Sequence, residues 1–293
     1  MKIPRILRRL AHSVRARWNN LIVQFEIWRV SRVHAGARVA EVHMRDGGSL
    51  LVFVHDSIGK QLLGTGTFEE VQTRYIRSRV SEKGVMVDVG ANVGYWSVLF
   101  ACHSNGGYVH AFEPSPASAA LLSANVALNG LEDRIRVNQT ALSAEAGRRE
   151  FSVAVDSGFS SFKSTARVPE KERITVPTTT LDSYVAEAGI DRINFLKIDV
   201  EGSEEQVLRG AEHVLHTIRP QLLLIELTDA NLKAYGSAVE RIVVYLNDLG
   251  YEPFVIDHIT GKERAYTTAD QNKIQNIFFR PYGHTQEQGI HTK

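Results

Sequence analysis

The chain contains a single cysteine, Cys102, among its 293 residues. One cysteine excludes an intrachain disulfide framework and a cysteine-based zinc site, and it fits a reducing compartment. The eleven histidines include no His-x-x-x-His pair of the kind that binds zinc on a helix. Long apolar runs are absent as well, so the sequence predicts neither a secretory signal peptide nor a membrane-spanning helix. We therefore expect a cytoplasmic protein, with a peripheral position at the inner face of a membrane as an open alternative.

A strong overall charge is also lacking, since the formal net charge is +1, but the charge is unevenly distributed. Residues 1–38 carry nine Lys and Arg against one acid, Glu26, whereas residues 39–293 carry 25 basic and 32 acidic side chains. The remaining chain shows no zinc-finger spacing, aromatic RNA-binding motif or basic groove, so we expect no nucleic-acid partner.

Residues 1–38 also repeat apolar side chains every three or four positions, as an amphipathic helix does. The repeat comprises Ile3, Leu7, Leu10, Val14, Trp18, Leu21, Phe25 and Trp28. One hypothesis is an interfacial helix that binds an anionic membrane. The other is a helix that docks on its own domain or on a partner, with its arginines in solvent.

The most informative stretch is residues 85–113, which reads as strand, glycine turn, helix and second strand. Residues 85–89 and 108–112 are short apolar runs suited to strands buried on both faces, and residues 95–102 have helical length. Parallel strands joined in this way present their carboxyl ends at one edge of a sheet, where ligands bind.

Two acids and two glycines fall at that edge of the predicted sheet: Asp88, Glu113, Gly90 and Gly94. Glu113 follows Gly90 by 23 residues, a position from which a carboxylate holds the ribose hydroxyls of a nucleoside cofactor. The glycines leave room for a ligand at the backbone. The alternative is an ordinary βαβ unit in which both glycines serve packing alone.

The glycine pattern restricts the choice of cofactor. Residues 90–94, Gly-Ala-Asn-Val-Gly, lack the Gly-x-Gly-x-x-Gly spacing of dinucleotide-binding proteins and the lysine of a phosphate-binding loop. A turn that is not built for pyrophosphate favours S-adenosylmethionine, which offers an amino acid and a ribose. A nicotinamide-dependent oxidoreductase on a Rossmann sheet therefore remains the second reading.

Three motifs in order carry a resemblance to a known family. They are Val-Asp-Val-Gly-Ala-Asn-Val-Gly-Tyr-Trp-Ser (87–97), Ala-Phe-Glu-Pro (111–114) and Phe-Leu-Lys-Ile-Asp-Val-Glu-Gly (195–202). Over about residues 56–282 the chain resembles the FkbM family of S-adenosylmethionine-dependent methyltransferases. The resemblance implies an α/β fold with a Rossmann-like class I methyltransferase sheet, mostly parallel with an antiparallel last strand. It also implies methyl transfer to a hydroxyl of a sugar, glycan, glycolipid or secondary metabolite.

The chain divides into four expected segments. Residues 1–38 form the basic helical arm, 39–80 a lead-in hairpin and helix, 81–283 the methyltransferase domain and 284–293 a polar tail. Within the lead-in we expect a hairpin over 41–55, a loop over 56–66 and a helix over 68–80. Residues 147–177 read as an inserted β-rich segment, of the kind that forms substrate walls.

The catalytic candidates lie at the ends of two later strands. Residues 193–200 are predicted to form a strand, in which side chains alternate between the two faces, so Lys197, Asp199 and the following Glu201 share one side. Residues 221–227 are predicted to form the next strand, with Glu226 near its end. Asp199 is the candidate base or acceptor-orienting group, Lys197 holds that carboxylate or contacts substrate, and Glu201 and Glu226 shape the acceptor pocket. An ion-pair cluster that only fixes the turn is the alternative.

Cofactor contacts are expected from Asp88 and the Gly90–Gly94 backbone toward the methionine end, from Glu113 toward the ribose and from Asn92 as a further hydrogen-bonding group. No metal is predicted, although Asp199, Glu201 and Glu226 together would suit magnesium or manganese. A third reading is a non-catalytic, membrane-associated binding module with a vestigial pocket. The oligomeric state does not follow from the sequence.

Overall fold

The computed structural model describes residues 19–32, 38–80, 82–163, 167–271 and 275–283. Most of the expected arm and the whole polar tail therefore lie outside the described residues.

From residue 85 the described elements alternate between strands and helices as far as residue 138, and three strands then follow before the next α-helix. The strands are β1 (Val39–His43), β2 (Ser49–Phe53), β3 (Val85–Val89), β4 (Tyr108–Phe112), β5 (Ile135–Asn138), β6 (Ala141–Leu142), β7 (Gly147–Ala154), β8 (Glu170–Thr179), β9 (Phe195–Ile198), β10 (Leu222–Glu226), β11 (Tyr251–Ile256), β12 (Glu263–Ala265) and β13 (Asn276–Pro281). The helices are α1 (19–32), α2 (Ser57–Thr65), α3 (Glu70–Arg77), α4 (Tyr95–His103), α5 (Pro116–Leu128), α6 (Leu181–Ala188), α7 (Glu204–Arg209), α8 (Asp229–Ala234) and α9 (Val239–Asp248).

The central sheet has eight strands in the order β12-β11-β13-β10-β9-β3-β4-β5. β10, β9, β3, β4 and β5 pair in parallel, whereas β13 runs antiparallel between β10 and β11. The order reverses beside β3, which makes the carboxyl ends of β3 and β9 the switch point where open α/β sheets bind ligands. The predicted fold class, including the antiparallel last strand, is confirmed.

Both faces of the sheet are covered, as the apolar strand runs predicted. Met86 belongs to a core cluster that α4 and α5 close, whereas its neighbours Val87 and Val89 belong to a second cluster with α6, α7 and α9. Successive residues of a strand point to opposite faces, so β3 contributes to both clusters. This double burial fixes the strand ends that carry the polar residues.

The lead-in hairpin is present, with β1 and β2 paired antiparallel. The expected loop over residues 56–66 is wrong, because α2 occupies most of it and buries Leu62. The three glycines of this stretch lower helix propensity and misled the prediction. Gly59 has a packing role instead, since a Cβ there would lie 1.9 Å from the carbonyl oxygen of Phe53. The expected helix over 68–80 is found as α3.

The inserted segment forms its own small sheet, in which β8 pairs with both β6 and β7. Between β7 and β8, the 3₁₀ turn Ser157–Phe159 bends toward the carboxyl edge of the main sheet. At the other end of the chain, α1 docks on the core through Val23 and Val30. No helix in the described ranges is long and apolar enough to cross a lipid bilayer.

Candidate active site

A cavity with about 1140 Å³ of empty space opens at the carboxyl ends of the central parallel strands. Its wall contains the residues at or directly after the ends of four strands: Gly90 after β3, Glu113 after β4, Asp199 after β9 and Glu226 in β10. The convergence follows from the parallel register, because β3 pairs with both β4 and β9. The cavity therefore lies at the sheet edge where the sequence pattern predicted that a ligand binds.

Glu113 is held at one end of the cavity by two backbone amides. Its Oε2 accepts from the Asn92 N–H at 2.9 Å and its Oε1 from the Ser115 N–H at 2.8 Å. Burial raises the pKa of Glu113 to about 7, although both hydrogen bonds act in the opposite direction. Each carboxylate oxygen keeps a second lone pair for a ligand hydroxyl.

The two glycines of the turn are required by packing. Gly90 (φ +81°) lines the cavity, and a Cβ on it would lie 1.8 Å from the carbonyl oxygen of Asp199. A Cβ on Gly94 (φ +90°) would lie 2.2 Å from the Leu122 side chain. The positive φ angles also favour glycine at both positions. Packing against Leu122 is thus enough to explain the glycine at position 94. Gly90 has two roles, because it allows the backbone after β9 to approach and also presents its own backbone to the cavity.

Asp88 lies behind the cavity wall and is fully buried. Its Oδ2 accepts from the Ser97 hydroxyl at 2.6 Å, and its Oδ1 has no hydrogen-bond partner among the described residues. Burial raises the pKa of this carboxyl, while the nearby Lys197 ammonium lowers it. Asn92 has a left-handed backbone (φ 49°), and its Oδ1 lies 3.2 Å from the Ser157 hydroxyl.

Lys197 and Asp199 form an ion pair at the other end of the cavity, with 2.9 Å between Nζ and Oδ2. The lysine is buried, whereas the carboxylate is partly exposed to the cavity. Burial alone would lower the pKa of Lys197, but Asp199, Glu69 and Asp88 together raise it above its usual value. The ammonium is therefore permanently charged and compensates the carboxylates around it.

Glu201 and Glu226 join Asp199, so that the three offer oxygens within 4.8 Å of one another. Burial raises the pKa of Glu201 to about 8. Repulsion from Asp199, followed by burial, raises the pKa of Glu226 well above its usual value. Both carboxyl groups are therefore easier to protonate than a free glutamate, whereas the carboxylate of Asp199 is paired with the buried ammonium of Lys197. The geometry also suits the divalent-metal alternative, and the absence of a metal stays a prediction.

The turn after β9 is fixed by contacts that the sequence did not reveal. Glu201 has a left-handed backbone (φ 55°), and its carboxylate accepts from Asn231 Nδ2 and pairs with Arg167 at 3.2 Å. Glu204 is buried below it and accepts from the Gly202 N–H at 3.0 Å. Burial raises the pKa of Glu204 to about 7.

Glu69 is a further member of this charge network that was not among the predicted cofactor-binding or catalytic residues. Its carboxylate accepts from Trp96 Nε1 at 3.0 Å and from Asn276 Nδ2 at 2.6 Å. Burial raises its pKa, and the charge of Lys197 opposes that shift. The available signal was its aromatic neighbour Phe68, which lines the cavity.

Two Asp-Ser pairs clasp each other over the cavity. The N–H and hydroxyl of Ser57 donate to Asp156 Oδ2, the N–H at 2.9 Å. In the reverse direction, the N–H and hydroxyl of Ser157 donate to Asp56 Oδ2, the N–H at 3.2 Å. We call these four residues the Asp-Ser clasp. It joins the start of α2 to the inserted segment, and both serines line the cavity.

Removing both clasp hydroxyls with Ser57→Ala/Ser157→Ala should speed amide hydrogen exchange across residues 157–162 by about tenfold or more. Hydrogen bonds to charged groups contribute about 1.5–3 kcal/mol each, so losing two favours local opening. Hydrogen-exchange mass spectrometry measures the effect. Ser123→Ala is the control, because that hydroxyl donates only to a carbonyl within α5. Equal exchange in the double variant and the wild type would contradict a clasp.

A comparison of the sequence with models of protein families identifies the part of the chain that carries most of the cavity wall. Residues 88–253, more than half of the sequence, match the family model described as the methyltransferase FkbM domain.

Three curated relatives illustrate the range of the similarity. The 31-O-demethyl-FK506 methyltransferase FkbM of Streptomyces tacrolimicus is 35% identical in an alignment of length 156 that covers 44% of this chain and 59% of that protein. The 2-O-methyltransferase NoeI of Sinorhizobium fredii is 28% identical in an alignment of length 149 that covers 46% of this chain and 60% of NoeI. The hexuronic acid methyltransferase AglP of Haloferax volcanii is 26% identical in an alignment of length 157 that covers 51% of this chain and 59% of AglP. The chain thus spans about three fifths of the length of these relatives.

Proposed function

The chain belongs to the FkbM family of S-adenosylmethionine-dependent methyltransferases, and on this premise we propose that it methylates a hydroxyl oxygen of a sugar, glycan, glycolipid or secondary metabolite. The observation that carries the proposal is the position of Glu113. Its carboxylate lies directly after β4 beside the turn at Gly90, where the N–H groups of Asn92 and Ser115 hold it in the cavity wall.

Such a site fits a sulfonium nucleoside and disfavours a dinucleotide, because residues 90–94 lack the Gly-x-Gly-x-x-Gly spacing that lets the backbone approach a pyrophosphate. In this proposal Glu113 binds the ribose hydroxyls. The backbone at Gly90 and Asn92 contacts the methionine end, with Asp88 behind it. Thr140, Ala141 and Leu142 line the cavity near Glu113 and offer an apolar surface for a base.

When bound, the cofactor supplies an electrophilic methyl group. The protein has to align the acceptor hydroxyl, exclude water and receive the hydroxyl proton. Asp199 is placed to accept that proton, because it lies directly after β9 in the cavity wall, beside the ammonium of Lys197. The raised pKa values of Glu201 and Glu226 favour the protonated forms of these two side chains. Those two carboxyl groups can then donate hydrogen bonds to other oxygens of the acceptor.

The acceptor end of the cavity has an aromatic wall from Phe159, whose ring centre lies 4.5 Å from the guanidinium carbon of Arg167, the partner of Glu201. Phe151 and Phe162 also line the cavity but pack with Ala141, at the end assigned to the base. Aromatic faces beside hydroxyl-binding carboxyl groups suit a polyhydroxylated ring. FkbM, NoeI and AglP carry names that denote three different acceptors, so the acceptor of this chain needs a direct assay.

Isothermal titration calorimetry with S-adenosylhomocysteine and with NAD separates the proposed function from the oxidoreductase reading. We expect binding of S-adenosylhomocysteine and no heat with NAD. The reverse result would remove the methyltransferase proposal. Incubation with S-adenosylmethionine and candidate glycans then tests turnover, with the product identified by the added mass of one CH₂. A protein that binds the cofactor but methylates no hydroxyl in any extract would support the non-catalytic module instead.

Affinity for S-adenosylhomocysteine should rise with pH up to about 7 and level off above it. The ionised form of Glu113 is the better acceptor for ribose hydroxyls, and its pKa is raised to about 7 in the folded protein. Below that pH the ligand has to displace a proton, so affinity should fall by up to about tenfold per pH unit. Calorimetry at several pH values, in buffers of different ionisation enthalpy, should also detect proton release below pH 7. A flat affinity profile would contradict the assignment of Glu113.

A further inference from the structure

The first helix, α1, has apolar side chains on two opposite faces. One face docks on the protein core through Val23 and Val30, which are 8% and 2% exposed. The other carries Leu21, Phe25 and Trp28, which are 63%, 56% and 51% exposed and follow one another at helical spacing. The rings of Phe25 and Trp28 stack with 5.8 Å between centroids. We call these three side chains the α1 ridge.

The α1 ridge is the described end of the apolar repeat that begins at Ile3. The docked positions Val23 and Val30 lie on the opposite face, so the three repeat positions of the α1 ridge do not attach α1 to its own domain. Of the two hypotheses drawn from the sequence, docking of α1 on its own domain is confirmed. Docking does not explain why the opposite face of α1 also carries large apolar side chains. Three neighbouring large apolar side chains held in solvent mark a binding surface.

The charge of the sequence that contains the α1 ridge indicates what binds there. Residues 1–38 carry a formal charge of +8, and their one acid, Glu26, is paired with Arg29 at 2.8 Å on the docked side. Arg32 lies at the ridge, with its guanidinium carbon 5.1 Å from the centre of the Trp28 ring. Exposed aromatic side chains next to arginines are typical of helices that lie in a lipid headgroup region.

We propose that the α1 ridge inserts into the interfacial region of an anionic lipid bilayer and holds the enzyme there as a peripheral protein. Residues 39–293 carry a formal charge of −7, so an anionic surface repels the body and attracts the arm. The protein consequently approaches the bilayer with α1 first. A second copy of the chain fits this surface less well, because two arms of +8 each would face one another across the contact.

Flotation of the full chain with vesicles tests the proposal. We expect it to float with equimolar phosphatidylcholine and phosphatidylglycerol and to stay unbound with phosphatidylcholine alone. The ridge variant Leu21→Ser/Phe25→Ser/Trp28→Ser should partition into the mixed vesicles at least about tenfold more weakly, since three exposed apolar side chains are lost. Its melting temperature and its affinity for S-adenosylhomocysteine should equal those of the wild type. If the triple variant unfolds, the single variant Phe25→Ser serves the same comparison.

The matched control is Leu63→Ser/Val244→Ser/Ile259→Ser, which removes three exposed apolar side chains elsewhere on the surface. It should float like the wild type. Equal flotation of the ridge variant and the control would overturn the proposal. So would light scattering that shows a dimer of the wild type and a monomer of the ridge variant, because the ridge would then bind a second copy. Methylation itself is not needed for any of these measurements, so the proposed activity can fail independently.

Discussion

Replacing Asp199 by asparagine should lower kcat by about 10²–10⁴-fold, the range that a lost general base produces. The amide has nearly the shape of the carboxylate but cannot receive the proton of an acceptor hydroxyl. Affinity for S-adenosylhomocysteine should stay close to the wild-type value, because the Glu113 end of the cavity is unchanged. Calorimetry and steady-state kinetics on an identified acceptor measure the two quantities separately.

Glu226→Gln provides the matched control for this prediction. A carboxyl oxygen of Glu226 lies within 4.8 Å of a carboxyl oxygen of Asp199. Repulsion from Asp199 raises the pKa of Glu226. The raised pKa favours the protonated form of Glu226, which a glutamine resembles, so kcat should change by less than about tenfold. If Glu226→Gln removes activity and Asp199→Asn retains it, the base is Glu226 and the assignment of Asp199 is wrong.

The two strands that begin the site could be predicted from the sequence, because the local strand preference of their residues agrees with the burial that the whole sheet imposes on them. Residues 85–89 and 108–112 are found as strands with the predicted bounds, since a short apolar run between turn residues fits only a strand buried on both faces. The parallel pairing then brings their polar ends to one edge without further information. Glu113 and Asp199 were predictable for that reason.

Contacts between distant segments were not predictable in the same way. Glu69 reaches Asn276, and Ser57 reaches Asp156, across sequence separations of 207 and 99 residues. No spacing rule covers such pairs, because they depend on how the lead-in and the inserted segment meet over the sheet. The α2 helix was missed since three glycines suggested a loop, while burial of Leu62 and contact with β2 stabilise the helix.

The two faces of α1 show a further limit of pattern reasoning. The apolar repeat correctly indicated a helix, but it was the residues between the repeat positions, Val23 and Val30, that pack on the core. A periodic pattern identifies an amphipathic helix and leaves open which face the fold covers. Here the more regular face is the one exposed to solvent.

Glu113→Ala should weaken binding of S-adenosylhomocysteine by about 100-fold or more. Charge-assisted hydrogen bonds to the ribose contribute about 1.5–3 kcal/mol each, and the alanine can make none of them. The same substitution should also destabilise the fold, because it leaves the N–H groups of Asn92 and Ser115 without their acceptor. Each unsatisfied buried donor costs about 1–3 kcal/mol, so thermal unfolding should shift to a lower temperature.

Asp182→Ala separates these two effects. Asp182 also accepts from two backbone amides, those of His213 at 3.0 Å and Val214 at 2.9 Å, and it is not among the residues that line the cavity. This control should lower the melting temperature while the affinity for S-adenosylhomocysteine stays at the wild-type value. A Glu113→Ala protein that is destabilised but binds the nucleoside normally would reduce Glu113 to a structural cap. The carboxylate would then hold only the turn between β3 and α4, and the ribose site would have to lie elsewhere along the cavity.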